Sequence, residues 1–159
     1  MISNLTPVGM TEGLVAAVSE AAAKAERPSP AVVQYAPCAA RDKGDEARRL
    51  VRPAIAEALT LMWPNGDAWP RRRETAVAES GIPRAEFAAA LDRLRRGDAA
   101  DAVLDDRFVA AFAIAGTPAE CLAQAARYGA AGVDELALTF AGEQPEDDIA
   151  SLGRALAAV

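Results

Sequence analysis

Histidine is absent from this 159-residue chain. Its absence removes the commonest general base and the commonest transition-metal ligand together, so any chemistry must rest on other side chains or on a bound cofactor. Cysteine is scarce. Cys38 and Cys121 fit no metal-ligand spacing and make no disulfide framework, so both read as small buried residues, no metal is expected, and the scarcity points to a reducing cytoplasm. No stretch approaches the ~18 apolar residues of a membrane helix, and no basic region leads into an apolar run at the N-terminus. Neither a membrane span nor a secretory leader is therefore expected. Positive charge is also short, with 17 Lys and Arg against 23 Asp and Glu. The net charge of −6 disfavours a nucleic-acid surface, which needs concentrated cations facing phosphate.

What is present is a globular composition, 52 % hydrophobic and 25 % charged, in a chain long enough for one sizeable core. A single domain over 1–159 is expected. The segment "AGTPAECLAQAARYGAAGVDELALTF", Ala115 to Phe140, shows the local grammar most clearly. Thr117 reads as an N-cap, Pro118 as the first helical residue and Glu120, at the third helical position, as the residue that completes a capping box. Leu122, Ala125, Ala126 and Tyr128 then recur at core-facing spacing until Gly132 offers a left-handed stop. From Val133 to Phe140, the apolar Leu136, Leu138 and Phe140 alternate with Glu135, Ala137 and Thr139, the pattern of a strand.

The same unit recurs earlier. Met1 to Leu5 reads as the end of a strand, and Thr6-Pro7 repeats the cap-and-proline opening of a helix that runs to about Arg27, with Leu14, Val15, Val18, Ala22 and Ala25 on one stripe. Ala31 to Ala40, "AVVQYAPCAA", reads as a strand covered on both faces, although Pro37 is out of place near its end. Helical spacing returns over Glu46 to Met62, with Pro53 inside it, over Pro83 to Arg95, over Asp98 to Phe112 and over Pro145 to Val159. Alternation of strands and helices predicts a parallel sheet with helices outside. Three strands are visible, and 159 residues fall well short of the ~250 of an eight-stranded barrel.

Aromatics are only 5 % of the chain, so both tryptophans standing in the turn-rich "WPNGDAWPRRR" ask for a reason. Trp63 and Trp69 either plug this loop onto the domain or wall a substrate pocket. The run Arg71, Arg72 and Arg73 reads as a solvated loop or as a clamp on an anionic cofactor tail.

"AFAIAGTPAECLAQAARYGAAGVDELAL", with "SNLTPVGMTEGLVAAVSEAAAKA" and "EARRLVRPAIAEAL", resembles the C-terminal half of the luciferase-like flavin- and deazaflavin-dependent oxidoreductases. The likeness runs from Ile2 to about Val159 and rests on Gly116-Thr117-Pro118 arriving with Gly132-Val133-Asp134-Glu135 at the family spacing. It implies an α/β fold, a partial (β/α)8 barrel forming the C-terminal half, with a helical insertion over about 63–112. It also implies FMN or a deazaflavin coenzyme at the C-terminal ends of the strands and monooxygenase or other oxidoreductase chemistry on a small organic substrate. The family's N-terminal half has no counterpart here.

The expected cofactor-binding positions are Asn4 and Thr6 at the end of the first strand, Gln34 and Thr139 as polar strand members lining the interior, and Tyr35 and Phe140 flanking a flavin-like ring. All but Asn4 have a structural alternative: Thr6 a helix cap, Gln34 and Thr139 hydrogen bonds within barrel layers, the aromatics core packing. No residue is assigned a catalytic role. Two functions fit. One is part of a flavin- or deazaflavin-dependent oxidoreductase completed by a complementary N-terminal half-barrel chain; the other is a non-catalytic half-barrel acting as a homodimer or interaction subunit.

Overall fold

A computed structural model describes residues 1–66 and 68–158. Among them, four strands and eight helices follow in the order β1 (Ile2–Asn4), α1 (Val8–Lys24), β2 (Val33–Ala40), α2 (Gly44–Met62), α3 (Arg71–Ser80), α4 (Arg84–Arg95), α5 (Ala100–Val103), α6 (Asp106–Phe112), β3 (Ile114–Gly116), α7 (Pro118–Ala130), β4 (Glu135–Phe140) and α8 (Pro145–Leu156). All strand pairs are parallel, as the α/β alternation predicts. The three strands read from the sequence are joined by a fourth. Three-residue β3 is too short to show a period, which is why the pattern missed it.

Strand β2 is the hub of the sheet. β4 pairs along one edge of it, from Val33 opposite Glu135 to Cys38 opposite Phe140. The other edge is shared, by β1 against Val33 to Tyr35 and by β3 against Cys38 to Ala40. Backbone bonds alternate accordingly: the carbonyls of Val32 and Cys38 accept from Asp134 and Ala141, whereas Val33 donates to Met1 and Arg41 to Gly116. Pro37 belongs to the second phase and falls between the two partners on that edge. Its missing N–H therefore lies where the ladder already breaks, and the strand keeps its proline.

Residues in register on parallel strands point to the same face. Ser3, Gln34 and Leu136 form one such row, and Ala36 with Leu138 and Cys38 with Phe140 continue it. This face meets helices, packing with Val15 of α1, Cys121 and Tyr128 of α7, and Leu152 of α8. The opposite face carries Asn4, Tyr35 and Ala137 in one row and Pro37 with Thr139 in the next. Helices α2 to α6 reach that face only at its C-terminal end, where Ala39 and Ala115 join Ala47 and Val51 of α2.

In α2 the buried positions Ala47, Val51, Ile55 and Leu59 recur every fourth residue, so one stripe faces the core while Pro53 stays on the exposed side. Phe87 of α4 is the centre of the second core. Its ring lies 5.2 Å from Trp63, 6.0 Å from Trp69, 5.5 Å from Phe108 and 5.9 Å from Phe112. Arg52 holds Asp106 at 2.8 Å, and Arg48 spans Asp106 at 3.1 Å and Glu120 at 3.5 Å, so α2 is tied to both α6 and α7.

Several local expectations change. The helix expected over Asp98 to Phe112 is two helices, because Asp105 takes an extended backbone and its carboxylate accepts the N–H of Arg107 at 2.9 Å, starting α6 afresh. The arginine run is the first turn of α3, not a loop. Thr117 and Glu120 do make the reciprocal capping box, with Thr117 N–H to the Glu120 carboxylate at 2.7 Å. Ala126 is exposed rather than core-facing, and Cys121 is buried on that side of α7 instead. Thr6-Pro7 copies this motif in sequence only: Pro7 is the N-cap of α1 and no side chain caps it.

Candidate functional site

The open sheet face brings together three of the expected positions. Asn4, Tyr35 and Thr139 stand on adjacent strands with their side chains on that face, and all three are exposed, Tyr35 to 42 %. Pro37 and Ala137 share it, half-buried. A flat aromatic ring, a carboxamide and a hydroxyl on one uncovered surface can stack on a planar ligand and hydrogen-bond its edge.

Gln34, Phe140 and Thr6 do not line this face. Gln34 shares the phase of Ala36 and Cys38, and its carbonyl accepts from the hydroxyls of Thr6 at 2.9 Å and Thr11 of α1 at 3.3 Å. The interior placement expected for it is thus corrected: the polar residue sits on the apolar phase because α1 brings it hydroxyl partners. Thr6 is fully committed to this cluster, bonding also to Ser3 at 2.8 Å, so neither a cap nor a ligand role uses its hydroxyl. Phe140 is turned to the helices. The Tyr128 hydroxyl donates to the Thr6 carbonyl at 3.0 Å, and burial pushes its phenol up to about 12.

The C-terminal ends of β2 and β4 open onto a cavity of about 810 Å³ against α2. Arg41, the first residue past β2, lies at its edge with Ala141 and Gly142 from past β4, and Leu50 and Pro53 give it an apolar wall. Arg41 is not a free cation. It pairs with Asp148, a fully buried carboxylate in the first turn of α8 that also accepts the N–H of Ala40 at 2.6 Å. Arg49 on one side and Glu46, Glu57 and Asp101 on the other leave the lining mixed in charge. Arg41 carries no motif; the signal the sequence offers for it is its place immediately after a strand, on the side where parallel α/β folds build sites.

The tryptophans lie elsewhere. Trp63 and Trp69 are buried with their rings against Phe87, Arg73 stands 4.8 Å over the Trp63 ring, and the Trp69 indole donates to the Gly66 carbonyl at 2.8 Å. Burial, and then the neighbouring Arg72, lower the pKa of Arg73. The two thiols meet between β2 and α7. A hydrogen bond with Cys121, followed by burial, drives Cys38 up, and Cys38 in return lowers Cys121. Among the described residues no His, Cys, Asp and Glu cluster could hold a metal ion, and no helix is long and apolar enough to cross a membrane.

A family model described as luciferase-like monooxygenase matches residues 1–135. No curated protein matches the chain. Among solved structures, the coenzyme F420 dependent tetrahydromethanopterin reductase from Methanopyrus kandleri is similar with a TM-score of 0.78 at 19 % identity. The match covers 96 % of this chain and 43 % of that one, so this chain spans less than half the length of that relative, and at such identity the likeness shows the fold alone.

Proposed function

The chain belongs to the luciferase-like monooxygenase family, and from that premise we propose that it is the C-terminal part of a flavin- or deazaflavin-dependent oxidoreductase acting on a small organic substrate. In this reading β1, β2 and β4 are neighbouring strands of a (β/α)8 barrel, with α1, α7 and α8 on its outside. The open face then looks into the barrel. The remaining barrel wall comes from a complementary N-terminal half-barrel, and the setting is cytoplasmic.

One observation carries the reading: Asn4, Tyr35 and Thr139 are exposed together on a sheet face that helices cover only at its C-terminal end, while the other face packs against α1, α7 and α8. A parallel sheet is ordinarily covered on both sides. Either FMN or a deazaflavin suits this surface, and such a coenzyme supplies the redox chemistry when bound. The chain's residues do the orienting. Tyr35 flanks the ring system, Asn4 and Thr139 hydrogen-bond its polar edge, and α2 to α6 close off water at the C-terminal end of the face. Trp63 and Trp69 serve by fixing that helical cover through Phe87. The absence of histidine agrees with a cofactor, rather than a side chain, carrying the reaction.

The test is reconstitution. The chain mixed with a polypeptide supplying the N-terminal strands should elute as a complex carrying FMN or a deazaflavin, read by absorbance. A well-folded complex that takes up neither coenzyme overturns the proposal. A second reading follows from the sheet edges: β1 and β4 each pair only with β2 among the described residues, and free edges invite a second copy. A non-catalytic homodimer or interaction subunit would then be seen by light scattering as a stable dimer without coenzyme.

A further inference from the structure

Helices α1 and α3 are separated by a cleft of about 430 Å³ that plays no part in the face described above. Its floor is apolar, from Met10 and Leu14 of α1. Two glycines of α1 open it, and they do so for different reasons. At Gly9 an added Cβ would come 2.2 Å from the Glu79 carboxylate of α3, so this glycine leaves room for the Glu79 side chain. At Gly13 an added Cβ would meet nothing within 4 Å, and the backbone is not left-handed. Neither packing nor conformation requires this glycine, a helix-weakening residue in the middle of α1. What it provides is room in the cleft.

Charge marks one end of the cleft. Arg71 and Arg72 of α3 line it, both exposed and neither paired with a carboxylate among the described residues. The same helix shows that a partner was possible, because Glu74 is taken by Arg84 at 3.0 Å. Glu79, eight residues on and therefore about 12 Å along the helix, stands at the far end. The cleft thus presents two guanidiniums, an apolar floor and a distal carboxylate. A ligand with one anionic head and an apolar chain matches that sequence of surfaces; a second anion at the tail would meet Glu79.

We propose that the α1–α3 cleft is a binding site for a small amphipathic monocarboxylate, its head held by Arg71 and Arg72 and its chain lying over Gly13 between Met10 and Leu14. The site is independent of coenzyme binding and stands or falls without it.

The experiment is calorimetric titration of the full chain with octanoate, octanol and octanedioate. Octanoate should bind saturably at one site, with octanol and octanedioate at least about ten-fold weaker, the scale of one lost charge-assisted contact. Arg71→Gln with Arg72→Gln should weaken octanoate to the level of octanol. Gly13→Leu fills the cleft and should abolish binding, while far-UV circular dichroism and thermal melting show the helix intact or strengthened. Octanoate binding no tighter than octanol, undiminished binding in a folded Gly13→Leu protein, or no saturable binding at all overturns the proposal.

Discussion

The Asp148 carboxylate accepts the N–H of Ala40 at 2.6 Å, which ties the first turn of the last helix to the final residue of the central strand. The contact is made in full burial, and Arg41 supplies the balancing charge from the cavity edge. Removing either partner leaves the other uncompensated. Asp148→Ala should cost about 3 kcal/mol in urea-denaturation stability, within the range for a broken buried pair. Asp148→Asn, which keeps an acceptor for Ala40, should cost less. Equal losses from the two variants would show that charge, not the Ala40 bond, dominates.

The hydroxyl cluster beneath α1 makes a second stability prediction. Gln34 accepts from both Thr6 and Thr11, so Thr6→Val leaves a buried carbonyl and the Ser3 hydroxyl short of partners. A loss of about 1–3 kcal/mol is expected, the cost of stranding a buried polar group. Equilibrium unfolding measures it, and an unchanged midpoint would show that the cluster rearranges freely.

The two faces of the sheet should respond differently to substitution on β2 and β4. Tyr35→Ala and Thr139→Val act on exposed residues and should leave stability within about 0.5 kcal/mol, as surface changes do. Coenzyme uptake by the reconstituted complex should fall for both. Phe140→Ala, on the helix side, should reduce the melting temperature directly. Loss of folding in Tyr35→Ala would mean that the open face is packed in solution.

Acid should loosen α6 through Asp105. Burial alone would raise this carboxyl, yet the side-chain and backbone bonds from Arg107 hold it below its ordinary value of 3.8. A depressed folded-state pKa contributes stability that is present above 3.8 and lost as pH falls through the lower, folded value. Asp105→Asn keeps a cap acceptor and should flatten that part of the stability curve below pH 3.8, measured by urea titration across acid pH. An unchanged slope would place the acid sensitivity elsewhere.

Local order was legible in the residues themselves wherever short-range chemistry decides. Thr117, Pro118, Glu120 and Gly132 specify the start and stop of α7 by their own hydrogen bonds and dihedral freedom, and the alternation through Leu136, Leu138 and Phe140 specifies which face of β4 meets helices. Period two separates Tyr35 from Gln34 and Thr139 from Phe140 within their strands, but only the register of β1, β2 and β4 brings Asn4, Tyr35 and Thr139 to one side. The tertiary structure decided the rest. Gln34 has the phase of a core residue, and only the arrival of Thr11 on α1 makes that burial affordable in hydrogen bonds. Thr6-Pro7 and Thr117-Pro118 are the same dipeptide with different fates, because the first threonine finds a buried partner 28 residues away before it can cap anything. Asp148 and Arg41, 107 positions apart, meet only when the last helix closes on the sheet. Contacts within a turn are encoded by adjacency, whereas contacts between elements depend on how the chain returns, and no local pattern carries that distance.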